Sequence, residues 1–418
     1  MSFELSVAEN EYLPADAAEV NAIVTVAAPA TLGVGTTAKL CEVIVVDIST
    51  SMQGARLRSA REAAAVAVDQ ILDGAHFAII AGNHRATVIV PMAESTPERR
   101  TFAKQIVGNL QCEGGTAIGT WLEKASEQFA LTPGDIHHCL LLTDGKDESE
   151  AHNQLEQAIA SCIGQFQCDC RGVGTNWIVE ELRSISSALL GTVDIVPEPS
   201  LLSAEFARII QTAMSKQVGD VGLRVWTPQG SHLQYLKEVF PAEEDRTSMA
   251  TPVNPLTVDF PTGAWAAGES RDYHLCVHVT PAPVNEERLA ARVSIVVNGE
   301  PTEVSLVRAR WTDDEALSAR ICPEVAHYTG QSDLAQAIAD GLEALQVGDQ
   351  QTATVKLGNA VKLASDVNNT QTLKLLQRVV DVDDAPTGTI RLKSSIDKAD
   401  EMALDTRRTV TVRIAVKD

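Results

Sequence analysis

Between residues 1 and 40 one stretch, Val20-Asn21-Ala22-Ile23-Val24-Thr25-Val26, partly alternates apolar and polar positions, the period-two pattern of a half-buried strand. From 41 to 216 the rhythm changes: apolar runs of strand length alternate with helix-length segments. Strands are expected at Glu42–Val46, Phe77–Ala81, Ala86–Val90, Cys139–Leu142, Cys168–Val173 and Val193–Val196. Helices are expected at Arg56–Leu72, Thr96–Asn109, Ile118–Phe129, His152–Phe166, Val179–Leu190 and Leu201–Lys216. This is the βαβ rhythm of a mostly parallel sheet covered on both faces. The turn Gly82-Asn83-His84-Arg85 is short enough to make Ala86–Val90 an antiparallel edge strand.

Residues 217–312 read as short strands separated by Pro/Gly turns, at Val221–Trp226, Tyr273–Val279, Ala291–Val297 and Val304–Trp311. An unpartnered N-terminal strand in 1–40 and a β region after the α/β segment together suggest one β-sandwich interrupted by an inserted domain. Residues 313–385 turn helical, with Leu334, Ala337, Ile338, Leu342 and Leu345 on one stripe, a turn at Gly348-Asp349, and Ala353, Leu357 and Ala360 opening the next helix. The expectation is a helical hairpin packed on the sandwich. Residues 386–418 carry seven Lys/Arg against five Asp/Glu and five threonines, and read as a basic, Thr-rich tail with a strand at Thr409–Val416. The fold class is therefore α/β: a doubly wound domain inserted in a β-sandwich and followed by a C-terminal helical segment.

Composition narrows the function. The chain's 418 residues exceed one core and imply several domains. Its 34 Lys+Arg against 56 Asp+Glu leave a net charge of −22, which argues against a broad grip on nucleic-acid phosphates. No run approaches the roughly 20 apolar residues of a membrane span. Met1-Ser2-Phe3-Glu4 lacks the basic and then apolar start of a secretory signal. Eight scattered cysteines do not make a disulfide framework. A reduced, cytoplasmic protein is expected.

The chemistry concentrates in Val43-Ile44-Val45-Val46-Asp47-Ile48-Ser49-Thr50-Ser51-Met52, a buried strand ending in Asp-x-Ser-x-Ser just before a helix. In a doubly wound sheet ligands sit outside the carboxyl ends of the strands. Hydroxyls and a carboxylate converging there are hard oxygens of the kind that suit Mg²⁺. Two further pieces follow in order. Gly114-Gly115-Thr116-Ala117-Ile118 is a glycine turn opening a helix, and Leu140-Leu141-Leu142-Thr143-Asp144-Gly145 is a second buried strand ending in a carboxylate.

Together these pieces resemble the von Willebrand factor type A (VWA) domain with a complete metal-ion-dependent adhesion site, over about residues 41–216. The resemblance implies that Ser49 and Ser51 ligate Mg²⁺ (or Mn²⁺) directly, that Thr116 does so directly or through water, and that Asp47 and Asp144 act mainly through water and hydrogen bonds. It implies a non-enzymatic interaction module whose partner is a protein offering an Asp or Glu carboxylate. The whole chain resembles bacterial VWA proteins of the cytosol, some of which neighbour forkhead-associated proteins, Ser/Thr kinases and phosphatases. A signalling partner of that kind is implied, and Thr406 and Thr409, flanking Arg407-Arg408, become candidate phosphorylation positions beside the plainer reading of an ordinary tail. Gly114, Gly115, Asn176 and Trp177 would flank the metal face as partner-binding positions, with Trp177 either an exposed anchor or a core cap.

Other candidates carry less. Cys168 and Cys170 fall on one face of a buried strand, where cysteine is a small hydrophobe, and with Cys162 they lack the fourth ligand of a zinc site. His137-His138 reads as a strand-entry feature without a paired ligand. An Asp-x-Asp phosphatase is disfavoured because Ser49 occupies the acid/base position. The remaining rivals are a structural scaffold with a non-essential metal site and a metal-dependent phosphatase or hydrolase.

Overall fold

Strand Leu40–Asp47 is buried at every position in the computed structural model, which describes residues 3–31 and 38–414. Its neighbours explain the burial. One sheet runs in the order Ala86–Glu94, His76–Gly82, Leu40–Asp47, Ile136–Thr143, Gln167–Val173, Val193–Val196. All pairs are parallel except the first, where Ala86–Glu94 returns antiparallel at the edge. Helices Ala55–Gln70 and Leu202–Met214 cover one face, laying Ala60, Ala64, Val68, Phe206 and Ile210 on Ile44, Val46, Leu140 and Leu142. Helix Ile118–Ala130 packs across the three strands that begin the sheet order. Gly82 is required there, since a Cβ would lie 2.5 Å from the buried Trp121 ring.

At the amino ends of these strands the structure corrects the reading of His138. Its imidazole is buried inside the sheet, with Nδ1 2.8 Å from Glu42 Oε2 and Nε2 3.1 Å from Asp169 Oδ2. Burial pulls its pKa down, but the flanking carboxylates outweigh that and raise it to about 10. The cysteines of this region are free and buried, with Cys168 Sγ 3.9 Å from Cys170 Sγ.

Among the described residues this α/β unit (38–219 with 263–266) stands apart from a second unit built from both ends of the chain (3–31, 220–262 and 267–414). The second unit holds two sheets. One runs Glu4–Glu9, Glu19–Ala27, Ser270–His278, His232–Phe240, Glu244–Asp245, so the N-terminal strand finds its partner some 250 residues later in the pair Val26↔Arg271. The other runs Thr251–Asn254, Thr257–Ala266, Lys216–Trp226, Glu287–Val297, Glu300–Thr312, Tyr12–Pro14. After the short helix Glu315–Ser318 come helices Pro323–Gln346, Gln350–Asp366 and Thr370–Val379, so the region holds more than the expected hairpin. The last two share an N-terminal device: Asp349 accepts from the Thr352 amide and Asn369 from the Thr372 amide, each at 3.0 Å. Gly341 lets Pro323–Gln346 and Gln350–Asp366 approach closely, because a Cβ would meet Leu357 Cδ2 at 2.7 Å. Among the described residues no helix is long and apolar enough to cross a membrane.

Residues 386–414 are not a free tail. Thr389–Leu392 pairs with Val380–Asp384, and Lys398–Arg407 is a helix that buries Met402, Ala403 and Leu404. Thr406 is 3% exposed and donates to the Met402 carbonyl, and Thr409 gives its carbonyl to the Glu243 amide, so the phosphorylation reading meets packed backbone. Of the expected strand Thr409–Val416, residues 409–414 make an isolated bridge through Val410 to Ala242, and 415–416 lie outside the described residues. The segment is held side chain by side chain. The Gln331 amide accepts from Val412 N and donates to Val412 O, both at 2.8 Å. Arg413 forks onto the buried Asp272 at 2.8 and 3.0 Å, and Tyr328 donates to the same carboxylate. Arg413→Ala is expected to destabilise this unit by roughly 1–3 kcal/mol, the cost of a buried charge losing its bidentate partner, with Arg413→Lys recovering only part of it in urea unfolding of the full chain.

Candidate metal centre

In the sheet order the chain adds strands outward on one side of Leu40–Asp47, then returns to add Ile136–Thr143 on the other. The reversal opens a crevice at the carboxyl ends of these two strands, where an α/β sheet binds its ligands. Their register, Val46 opposite Leu142, brings Asp47 and Asp144 to that crevice, both buried.

Asp47 organises the turn that follows it. Its Oδ1 accepts from the Ser49 amide at 2.7 Å, and its Oδ2 accepts from the Thr143 hydroxyl at 2.6 Å. Burial pushes its pKa up to about 6, against the pull of these hydrogen bonds. Ser49 Oγ lies 2.9 Å from Ser51 Oγ, and Ser51 Oγ donates to Asp144 Oδ1 at 2.6 Å. Buried Met52 then plugs the core at the end of a short 3-10 turn, Thr50–Met52.

The glycine turn is tied to the same loop. Thr50 donates both its amide and its hydroxyl to the Gly114 carbonyl, each at 2.9 Å, and the Glu113 amide donates to the Ile48 carbonyl at 2.7 Å. Gly114 adopts φ +75°, where a side chain would also strike His84. Thr116 is fixed by backbone exchange with Ser149: its amide donates to Ser149 Oγ at 3.0 Å and its carbonyl accepts from Ser149 N at 2.8 Å. A Cβ added at Gly145 would stand 3.0 Å from Thr116 Oγ1 and 3.5 Å from Ser51 Oγ. The two hydroxyls therefore face one spot beside Asp144. Asp147 and Glu150 accept from the Ile118 and Gly119 amides, capping the helix that follows Thr116.

Ser49, Ser51, Thr116, Asp47 and Asp144 thus gather around one crevice with hard oxygens only. Among the described residues no trio of His, Cys, Asp or Glu is placed to hold a metal, so a cation here would rest on hydroxyls. Such donors fit Mg²⁺ or Mn²⁺ better than a thiolate- and imidazole-seeking ion.

Two features differ from the sequence reading. Trp177 is 3% exposed, its ring lying over Gly172, where a Cβ would approach to 1.9 Å, and its Nε1 donates to the Gly174 carbonyl. It is a core cap and not an exposed anchor. Gly114 and Asn176 are exposed and Gly115 is half-buried. The second feature is Arg56, whose Nη1 lies 2.5 Å from Asp144 Oδ2 and 3.3 Å from the Ser51 carbonyl. A single arginine at the start of a helix gives no periodic signal, and its partner lies 88 residues away.

Residues 43–195 match the von Willebrand factor type A domain family, and 362–408 match the von Willebrand factor type A C-terminal domain family. A solved von Willebrand factor type A protein from Catenulispora acidiphila is 44% identical, with a TM-score of 0.93 over 98% of this chain and 97% of that one. The ArnB paralog VWA2 from Sulfolobus acidocaldarius shares the fold at 13% identity, with a TM-score of 0.58 over 97% of each chain. The protein sll0103 of Synechocystis sp. is 26% identical over 199 residues, 47% of each chain, so this chain aligns with about half the length of that curated relative.

Asp47 supplies a pH test. Its folded pKa of about 6 stands above the ordinary 3.8, so the fold favours its protonated form. The stability penalty is absent below the lower value and complete above the higher one. With chelator present, the stability of Asp47→Asn relative to wild type is expected to move in favour of the variant, by on the order of 3 kcal/mol, as pH rises through that window. Urea unfolding at closely spaced pH values checks it. A flat difference would remove the buried, raised carboxylate from the description.

Proposed function

The chain belongs to the von Willebrand factor type A family, and from that premise we propose that it is a metal-dependent binding protein that docks an acidic side chain of a protein partner. The observation that carries this reading is the convergence of neutral hydroxyls on a crevice whose carboxylates are already engaged by internal donors. Both oxygens of Asp47 accept from the protein, and Asp144 accepts from Ser51 and Arg56. Ser49, Ser51 and Thr116 would hold Mg²⁺ or Mn²⁺, with Asp47 and Asp144 orienting them. When bound, the ion supplies a Lewis-acidic point for an anionic oxygen, and neutral ligands leave most of its charge unspent. A Glu or Asp carboxylate is the protein group that matches it.

Hydrolysis would need a general base aimed at the reacting water and a substrate pocket beside it. Asp147 and Glu150, the carboxylates that follow Asp144 and face the Thr116 helix, are instead turned to helix amides. A cytoplasmic setting fits eight unpaired cysteines. The partner is proposed to be a component of a signalling or assembly complex, with forkhead-associated, kinase and phosphatase proteins the first to look for. One observation favours a scaffold with a non-essential metal site: the Arg56 guanidinium already balances Asp144.

Affinity capture from cell lysate with Mg²⁺ decides between them, using wild type and the Asp47→Ala/Ser49→Ala variant as baits. Proteins held only by wild type and released by chelator are the expected result. Identical proteins on both baits would move binding away from the crevice and leave the scaffold reading.

A further inference from the structure

We propose, building on the metal-site reading above, that Arg56 is a built-in rival of the divalent cation: guanidinium and cation compete for Asp144, so Arg56 sets how tightly the site takes metal and couples metal uptake to an acidic partner group.

Arg56 enters the site by design of the local chain. Gly54, at φ +91°, redirects the backbone after the Ser49–Met52 turn, and helix Ala55–Gln70 starts immediately. Its first turn therefore returns over the loop it has just left. The Arg56 side chain is 31% exposed, whereas that of Asp144 is 0% exposed. Asp144 has both oxygens engaged, Oδ1 by the Ser51 hydroxyl and Oδ2 by Arg56 Nη1. Across from Asp144, a Cβ added at Gly174 would come 3.4 Å from Arg56 Nη2, so the far wall of the guanidinium's berth is bare backbone.

Charge then dictates the competition. Asp47 and Asp144 bring two negative charges to the crevice, and Arg56 returns one positive charge. A divalent cation held by Ser49, Ser51 and Thr116 would stand beside that guanidinium, in a partly buried site where like charges repel more strongly than in water. Asp144 is fixed at a strand end in the core and cannot relieve the repulsion. Arg56, long-stemmed and one-third exposed, can turn outward while its methylenes stay against the loop. Turned outward, it presents a planar fork at the rim of the crevice, the geometry that suits a carboxylate. An acidic partner residue that engages the fork holds Arg56 away from Asp144 and so favours the metal. Linkage requires the reverse as well.

A merely structural Arg56, one that keeps Asp144 in place for the cation, predicts the opposite sign, because its removal would weaken metal binding. Calorimetric titration of MnCl₂ into the full chain separates the two. Arg56→Gln and Arg56→Met are each expected to bind Mn²⁺ about ten- to a hundredfold more tightly than wild type, since a competing charge has been removed. Arg58→Gln, exposed on the same helix, controls for the general loss of a positive charge and should stay within about twofold. Thermal melts without metal establish that each variant is folded, and the rise in Tm on adding Mn²⁺ should be larger for the Arg56 variants than for wild type. Equal or weaker binding by both Arg56 variants, with measurable binding by wild type, would overturn the competition and leave the metal site standing. Absence of binding in wild type and in both folded variants would overturn the metal site itself.

Discussion

A carboxylate buried at the end of a fully buried strand must find donors for its oxygens, and the loops around the crevice are arranged by how Asp47 finds them. A lone buried charge is costly, so each oxygen takes a fixed partner. One is the Ser49 amide, which fixes the turn leaving the strand. The other is the Thr143 hydroxyl, which fixes the end of the neighbouring strand and with it Asp144. Once those are set, Ser51 falls within reach of Asp144, and Thr50 meets the Gly114 carbonyl that carries Thr116 into place. Side chains separated by nearly a hundred residues become one site because a single acid could not be left unsatisfied.

Much of this was legible in the sequence, and the illegible parts share a cause. Strands such as Cys168–Val173 and Val193–Val196 are local apolar runs, and Asp47, Ser49, Ser51, Thr116 and Asp144 sit at strand or helix ends where their types already suggested a cation. His232–Phe240 escaped notice because Gln234, Lys237 and Glu238 interrupt its apolar pattern, and Thr257–Ala266 because it carries Pro261 and Gly263. Helix Thr370–Val379 was hidden behind the one recognisable glycine turn at Gly348. Charge composition misled at 386–418: the lysines and arginines dominate the count, while Met402, Ala403 and Leu404 determine the fold. Arg56 and His138 depend on partners that only the tertiary structure supplies. Local pattern cannot report a distant partner.

The strand that ends in Asp47 also carries Glu42, and the two acids show opposite solutions to the same burial. Glu42 is answered by His138, which is answered in turn by Asp169 and, through Asp169 Oδ1, by the Thr192 amide and hydroxyl. Glu42, His138 and Asp169 lie on three adjacent strands of one sheet, and the imidazole is trapped between two acids that keep it cationic. Breaking such a network strands a charge in the core, so it cannot open during function without local unfolding.

At the carboxyl ends the answer is deliberately incomplete. The donors there are hydroxyls, which can rotate and can ligate as well as donate. The cation that balances Asp144 belongs to a side chain that reaches solvent, unlike His138. Replacing a hydroxyl hydrogen bond or swinging a one-third-exposed arginine outward leaves no buried charge without a partner, provided another cation takes its place. The sheet is thus closed at one end and exchangeable at the other, a difference that follows from donor chemistry before any ligand is considered. The crevice lined by Ser49, Ser51 and Thr116 is the exchangeable end, while the Glu42–His138–Asp169 chain ties together the strands on whose register that crevice depends.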